Sequence, residues 1–569
     1  MRKWRTSARG RTPRRPTSAW LVGLLLAAGP VGAQLPNIPL DRPGEREMPV
    51  PRRGAPPPKF TVPPLESTEA PLGESGLRVL ARGFQFVGNT AFSDAELNRI
   101  VAQYIGREIG TQDLEAMRLA LTKYYVDRGY VNSGAVVPDQ EVVGGVITLR
   151  LVEGTLSGIE ISGNRRLAEA YLRDRVMLGA ATPLNVYKIR DQLFILQQDP
   201  RIKRVNAALL PGLRPGEALL RLDVEEQPSR SVHVGVDNRR PPSVGAERAE
   251  VEFNDYNFLG YADTFNARYG LTEGLNDVDV SYAFPIDVHD TAITARYVRS
   301  DSTVIEAPFD ALDVKSETTS AALGVWRPYV KTPAKEYGVG LTFEQRRNQT
   351  FLLGEPFAFS PGADANGVSR VAALRLQAAW LTHNPQRIFA GRSTLSFGTG
   401  ALHATVSDME PDARFVAWLG QFQWVERFAQ RREELVVRAD AQLANDPLLS
   451  IEQFPLGGAQ SVRGYRENQL VRDNGLFASI EYRWALPFDA ESRQRLQLAA
   501  FYDVGRAWNR ERPTPDPRIL SSVGVGLRGN YASWLEYELY VGVRLHNVST
   551  ADGDLQDHGI HFRLRARVW

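Results

Sequence analysis

Phe454-Pro455-Leu456-Gly457-Gly458-Ala459-Gln460-Ser461-Val462-Arg463-Gly464-Tyr465 sets a single cation in an apolar, glycine-rich stretch. Gly464 permits a tight turn or a close backbone approach. The planar guanidinium of Arg463 can hold a carboxylate through two parallel hydrogen bonds, which fixes orientation as well as adding energy. Read from the residues alone, Arg463 could equally be a surface cation in a loop. Its surroundings bear on the choice.

From about residue 229 to the end, segments of roughly ten residues alternate apolar and polar, separated by Gly, Pro, Asn and Asp, the pattern of a transmembrane β-barrel. Val232-His233-Val234-Gly235-Val236-Asp237, Val278-Asp279-Val280-Ser281-Tyr282-Ala283-Phe284 and Ile293-Thr294-Ala295-Arg296-Tyr297 are examples. In the last segment, Ile560–Val568, one parity carries His561, Arg563, Arg565 and Arg567, which suits a wet lumen and not lipid. At roughly 21 residues per strand plus connection, with ~9–11 in the membrane, residues 229–569 hold about 16 strands. Trp326, Tyr329, Trp484, Trp508 and Trp534 near segment ends suit interfacial girdles. Beyond the leader no run approaches 18 apolar residues, so any crossing of a membrane is by a closed barrel. The same alternation also fits a soluble β-sandwich or propeller.

Upstream, two stretches repeat at a spacing of 75 residues. One opens Phe84-Gln85-Phe86-Val87-Gly88-Asn89, the other Ile159-Glu160-Ile161-Ser162-Gly163-Asn164. Each continues with two helical stretches: 93–104 with Ser93 as N-cap and 111–128 with Thr111 as N-cap, then 167–178 and 185–198. Each closes with two strands, 131–137 and 145–152, then 203–210 and 217–226. The expected small α+β domains are 80–153 and 154–228. Residues 34–79 form a linker whose prolines, dense to Pro71, favour extended, mobile backbone. Residues 1–33 read as a signal peptide: a basic region to Arg15, the apolar run Ala19–Ala28, and Val31-Gly32-Ala33 before Gln34.

Composition excludes several classes. At 569 residues, two or more units are expected. Lys and Arg number 68 against 66 Asp and Glu, for a formal charge of +2, and seven of the cations lie in residues 1–33 with no acid. Without them the charge is −5, which gives no electrostatic reason to expect nucleic acid as a partner. With no cysteine there is neither a disulfide framework nor thiolate chemistry. The seven scattered histidines give little support to a metal site. No nucleophile elbow, P-loop or paired-carboxylate signature occurs. Gly524-x-Gly526-x-x-Gly529 lies in an alternating strand with no following helix, so it reads as glycine on a barrel wall. No enzyme activity and no cofactor are expected.

The opening stretch, with Leu456-Gly457-Gly458 before the Val-Arg-Gly-Tyr core and Asp473-Asn474-Gly475 after it, resembles the inward-folded loop of the two-partner secretion transporters, the TpsB-type haemolysin secretion and activation proteins. These share a superfamily with the bacterial outer-membrane insertases. The two repeats resemble POTRA domains. Val236-Asp237-Asn238 resembles the family's first barrel strand, and Asn257-Phe258-Leu259-Gly260-Tyr261-Ala262-Asp263 the turn after its second. The resemblance covers about 80–569. It implies a transmembrane antiparallel β-barrel preceded by two periplasmic POTRA-like domains, located in the bacterial outer membrane.

By that resemblance Arg463 reaches through the lumen to Asp503, on a late strand spanning Leu496–Trp508. There Leu496, Leu498, Ala500, Tyr502 and Val504 share the lipid-facing parity and Asp503 points inward. Val462, Arg463, Gly464, Tyr465 and Asp503 form the expected lock, with Tyr465 wedged against the wall. In a watery lumen the ion pair is expected to contribute only ~1 kcal/mol. The implied partner is an unfolded exoprotein of haemolysin, adhesin or contact-dependent toxin type. It would add to an exposed sheet edge near Val131, Val136 and Val137, or Val205 and Leu209. Outer-membrane lipid and the barrel assembly machinery, for insertion, are the other expected partners, and export would be driven by folding of the client outside the cell. An assembly factor of the same superfamily is the alternative, and a passive porin a third. The family often begins with a plugging helix, for which the Pro-rich segment is a poor candidate. Trp569 also falls off the parity of the last strand.

Overall fold

The computed structural model describes residues 57–62, 78–407, 411–428, 433–486, 494–532, 534–548 and 553–569. The signal peptide and most of the linker lie outside them.

The first unit runs Gly83–Val87, helix Asp94–Val101, helix Thr111–Asp127, Gly134–Val136, Val146–Val152. Its outer strands pair parallel and its middle strand lies antiparallel at the edge. Ser93 caps the first helix, with Glu96 returning a carboxylate to the Ser93 N–H at 2.9 Å. The second helix starts one residue earlier than expected: Gly110, not Thr111, is the N-cap, and its N–H donates to Asp113 at 3.0 Å. The second unit repeats the order with Thr155–Ser162, Glu169–Met177, Val186–Gln198, Ile202–Pro211 and Glu217–Glu226. Each unit buries the apolar faces of its two helices on its sheet, around Leu97, Leu121 and Leu149 in the first and Leu172, Leu193 and Leu220 in the second.

The repeated Gly-Asn turns have a shared mechanism. Gly88 and Gly163 sit at φ +88° and +82°, and a Cβ at either would lie 2.5 or 2.3 Å from a carbonyl of the neighbouring strand. Asn89 and Asn164 each donate to the carbonyl three residues on, at 3.0 and 3.1 Å. The glutamate ending each unit's last strand then takes the following N–H groups. Glu153 accepts from Thr90 and Ala91 at 2.7 and 2.8 Å, and Glu226 from Arg165 and Leu167 at 2.7 and 2.9 Å.

Burial pushes the Glu153 carboxyl upward, but the donors from Thr90, Ala91 and Tyr125 outweigh it, and the pKa lies below the ordinary value. A depressed folded-state pKa contributes stability above the unfolded value that is lost as pH falls through the folded one. Glu153→Gln is therefore expected to lower the thermal midpoint of the full-length protein's periplasmic part at neutral pH and to shrink its loss on acidification. Circular dichroism melts from pH 7 to 3 measure both.

The barrel closes with sixteen antiparallel strands, from Arg230–Asp237 to Ile560–Arg567, which pair with each other through His233–Arg567 to Asp237–Arg563. In Gln494–Trp508 the alternation is plain: Leu498 and Tyr502 are exposed outward, whereas Phe501, Asp503 and Ala507 are buried inward. Trp569 is off parity because of a bulge. The Val568 and Trp569 N–H groups both point at the Val232 carbonyl, at 2.9 and 3.4 Å, so two residues face one.

The second unit is docked on three turns of the barrel's periplasmic rim. Arg166 donates to Ser229 and to the Asn257 carbonyl at 2.8 and 3.1 Å, Arg175 binds Asp290, and Gln198 donates to the Pro333 carbonyl at 3.0 Å. The Asn257–Asp263 turn is thus part of this joint. No helix among the described residues is long and apolar enough to cross a membrane.

Candidate functional site: a loop pinned inside the barrel

Between the eleventh strand, Glu433–Ala444, and the twelfth, Asn474–Ala485, the chain turns back into the lumen as a hairpin of Phe454–Leu456 and Leu470–Arg472. Apolar burial folds it inward. Phe454, Leu456, Val462, Tyr465 and Leu470 pack against Leu419, Phe477, Ala507 and Leu520 of the inner wall. The wall makes room with glycine: a Cβ on Gly475 would lie 2.0 Å from the Phe454 ring.

Arg463 stands at the hairpin's far end. Its Nε and Nη2 donate to the two oxygens of Asp503 at 2.8 and 2.9 Å, and its own backbone N–H to Oδ2 at 3.1 Å. Nη1 donates to Glu481, and Nη2 also to the Ser479 hydroxyl at 3.2 Å. The guanidinium lies over the rings of Phe501 and Tyr540, 3.7 and 4.7 Å from their centroids. Asp503 faces Ser479 across the twelfth and thirteenth strands, and Glu481 faces Phe501, so adjacent inward positions of one strand pair assemble the whole receptor. The expectation of a wet, weak pair does not hold. Arg463 is 2% exposed, Asp503 0% and Glu481 3%, so water does not screen the charges.

Gly464 lies against Gly542 of the fifteenth strand, Leu535–Arg544, at φ +93°. Its N–H donates to His561 Nε2 at 3.1 Å and its carbonyl accepts from Arg544 at 2.6 Å. The Tyr465 hydroxyl sits 3.0 and 2.9 Å from the Ser521 and His546 carbonyls. Val462 is fully buried in the apolar cluster.

The root of the hairpin has a second anchor, on other strands. Glu452 accepts two hydrogen bonds from Arg375, at 2.8 and 3.0 Å, and one from Arg346 at 3.2 Å. Arg375 also donates to Glu344 at 2.6 Å. Arg346 and Glu344 belong to Lys335–Leu352, Arg375 to Val368–His383. Farther along, Arg466 holds Asp557 and Glu306 at 2.6 and 2.8 Å. Glu452→Ala removes the carboxylate that Arg375 and Arg346 share at the hairpin's root, so frequent conductance bursts are expected in planar bilayers from a barrel that still inserts; wild-type recordings would refute this.

Glu481, Ser479, Glu452, Arg375 and Arg346 were not singled out from sequence. A signal was present for the first two: Ser479, Glu481 and Arg483 share one parity against Ile480, Tyr482 and Trp484.

The edge-strand residues need correction. Val205 and Leu209 are 0% and 3% exposed and belong to the second unit's core, so neither is available to a client. Half-buried Val131 packs against that same core, and Val137 against the first unit's. Val136 is half-buried on a strand of only three residues, whose outward Ala135 N–H is held by the Thr122 hydroxyl at 3.0 Å. The second unit's edge is not open either: Lys59–Thr61, from the segment expected to be mobile linker, pairs parallel with Asn206–Ala208.

The model of the haemolysin secretion/activation protein family ShlB/FhaC/HecB matches residues 216–529, and that of the POTRA domain, ShlB-type, matches 79–154. The heme/hemopexin transporter protein HuxB of Haemophilus influenzae (strain 86-028NP) is 22% identical over 476 residues, covering 80% of this chain and 82% of its own. The outer membrane transporter CdiB of Escherichia coli is 25% identical over 461 residues, covering 78% and 74%. Among solved structures, CdiB from Escherichia coli aligns with a TM-score of 0.66 at 20% identity over 88% of this chain and 92% of that one. BamA from Haemophilus ducreyi lacking POTRA domains 1–3 reaches 0.53 at 13% identity over 86% and 99%.

Proposed function

The chain belongs to the haemolysin secretion/activation family ShlB/FhaC/HecB and is an outer-membrane transporter of a partner exoprotein, and on that premise we propose that the pinned loop is a lock that holds the barrel in a conducting arrangement or switches with it. Members of this family are transporters, and we assign the chain no catalytic step. The observation that carries the proposal is the water-excluded Arg463–Asp503–Glu481 cluster, which fastens a loop lying inside the conduit to two strands of its wall. Such a cluster has two well-separated states, made or broken, because a half-made one leaves a buried charge unpaired.

The client reaches the two POTRA-like units unfolded, threads the lumen and folds outside, and that folding supplies the drive. The family description, haemolysin secretion/activation, supports a haemolysin as the proposed cargo, with an adhesin or a contact-dependent toxin as the other proposed classes. Outer-membrane lipid and the barrel assembly machinery are the proposed partners for residence and insertion. Quantitative proteomics of supernatant and outer membrane, wild type against deletion, tests the proposal. Loss of one large supernatant protein with other barrels unchanged is expected; general depletion of other barrels would make the chain an assembly factor.

A further inference from the structure

The edge of the second POTRA-like unit is closed by three devices. The Gln197 side chain, 3% exposed, donates to the Lys203 carbonyl at 3.0 Å and accepts the Val205 N–H at 2.8 Å. Lys59–Thr61 takes the next stretch, pairing Lys59 with Asn206, Phe60 with Ala207 and Thr61 with Ala208. Pro211, at the strand's end, has no N–H to offer. Phe60 and Val62 rest on the unit's apolar core. Of the two middle strands, only this one demonstrably accepts a further strand, since the first unit's is three residues long and its outward N–H is satisfied.

We propose that residues 57–62 are a placeholder strand. They occupy the edge at which an extended polypeptide with an apolar residue at every second position adds to Asn206–Leu210, and they leave when it binds. This rests on the export function proposed above and names the place on the transporter where the client engages.

The energetics suit a placeholder. The pairing spans three residues, Asn206–Ala208, of the stretch Asn206–Leu210 that Gln197 and Pro211 leave free. Pro57, Pro58, Pro63 and Pro64 on its flanks cannot extend it, because proline has no N–H to give the ladder. It is parallel, the slightly weaker arrangement per residue, so a longer antiparallel strand outcompetes it. Because residues 57–62 belong to the same chain as the edge they cover, they act there at an effective concentration on the order of mM, which rejects weakly pairing chains and admits strongly pairing ones. Specificity then comes from a competition and not from a pocket.

The chain has no cysteine, so a single disulfide can be placed without interference. Lys59→Cys with Asn206→Cys links directly opposed residues. Expressed in the deletion strain, the oxidised pair is expected to cut release of the partner exoprotein about tenfold against either single variant, and dithiothreitol to restore it. Phe60→Asp removes the ring from the core. It is expected to keep export, and in the purified full-length protein to bind a labelled peptide of residues 57–62 that the oxidised pair does not bind. Wild-type release from the oxidised pair overturns the placeholder and leaves export standing. So does loss of export in Phe60→Asp with the barrel inserted, since the strand is then a fixed part of the unit. Identical supernatants from wild type and deletion strain overturn the export function itself.

Discussion

Arg463→Ala is expected to reduce release of the partner exoprotein by about tenfold or more while the barrel still assembles. The substitution takes the guanidinium from buried Asp503 and one of two guanidinium partners from buried Glu481, which keeps Arg483. Removing one partner from a buried charge cluster costs about 3–5 kcal/mol, enough to turn a mostly bound loop into a mostly released one. The sixteen-strand ladder is independent of the loop, so insertion persists. Arg463→Lys keeps the charge but loses the two-pronged grip on Asp503 and the stacking on Phe501, so an intermediate defect is expected. Arg463→Ala with Asp503→Ala removes one uncompensated charge and recovers thermal stability of the folded barrel without recovering export; the double-mutant cycle measures the coupling. Heat-modifiability on gels follows assembly and supernatant proteomics follows export. Wild-type release from Arg463→Ala would remove this residue from the mechanism.

Periodicity made the architecture legible where one face of each element meets a single environment. The last strand is the clearest case: His561, Arg563, Arg565 and Arg567 on one parity could face only a polar interior, and Arg565 there meets Glu252 at 2.6 Å. The Gly-Asn turns were legible as turns, but not the glutamates that hold them, because Glu153 and Glu226 act across about sixty residues of chain. Asp503 was reached by family resemblance, and its parity agreed. Glu481 was as visible by parity, but no spacing rule joins residue 463 to residue 481 until the barrel register is known. Dryness was illegible: a barrel lumen reads as water-filled from sequence, and the burial of Arg463, Asp503 and Glu481 is seen only once the hairpin lies on the wall with the Phe501 and Tyr540 rings against the guanidinium. The short strand Lys59–Thr61 was invisible for a different reason, since three residues between prolines carry no period.

Gly464→Ala is the second large effect expected, and it separates geometry from charge. Every ionic group of the lock remains, yet two costs arise at one atom. At φ +93° an alanine is strained by roughly 1–2 kcal/mol. Its Cβ would also stand 3.0 Å from the carbonyl carbon and oxygen of Gly542, backbone that belongs to a strand paired on both sides and cannot retreat. Moving residue 464 away breaks its N–H bond to His561 and its carbonyl's bond from Arg544, and draws Arg463 off Asp503. Gly542→Ala isolates the close approach, because Gly542 has no left-handed backbone and its new Cβ would lie 2.8 Å from the Gly464 Cα. Both variants are expected to assemble and to export poorly, Gly464→Ala the more so because it adds strain to overlap. Normal export from Gly542→Ala would mean that the loop tolerates standing off the wall, and that Arg463 alone holds it.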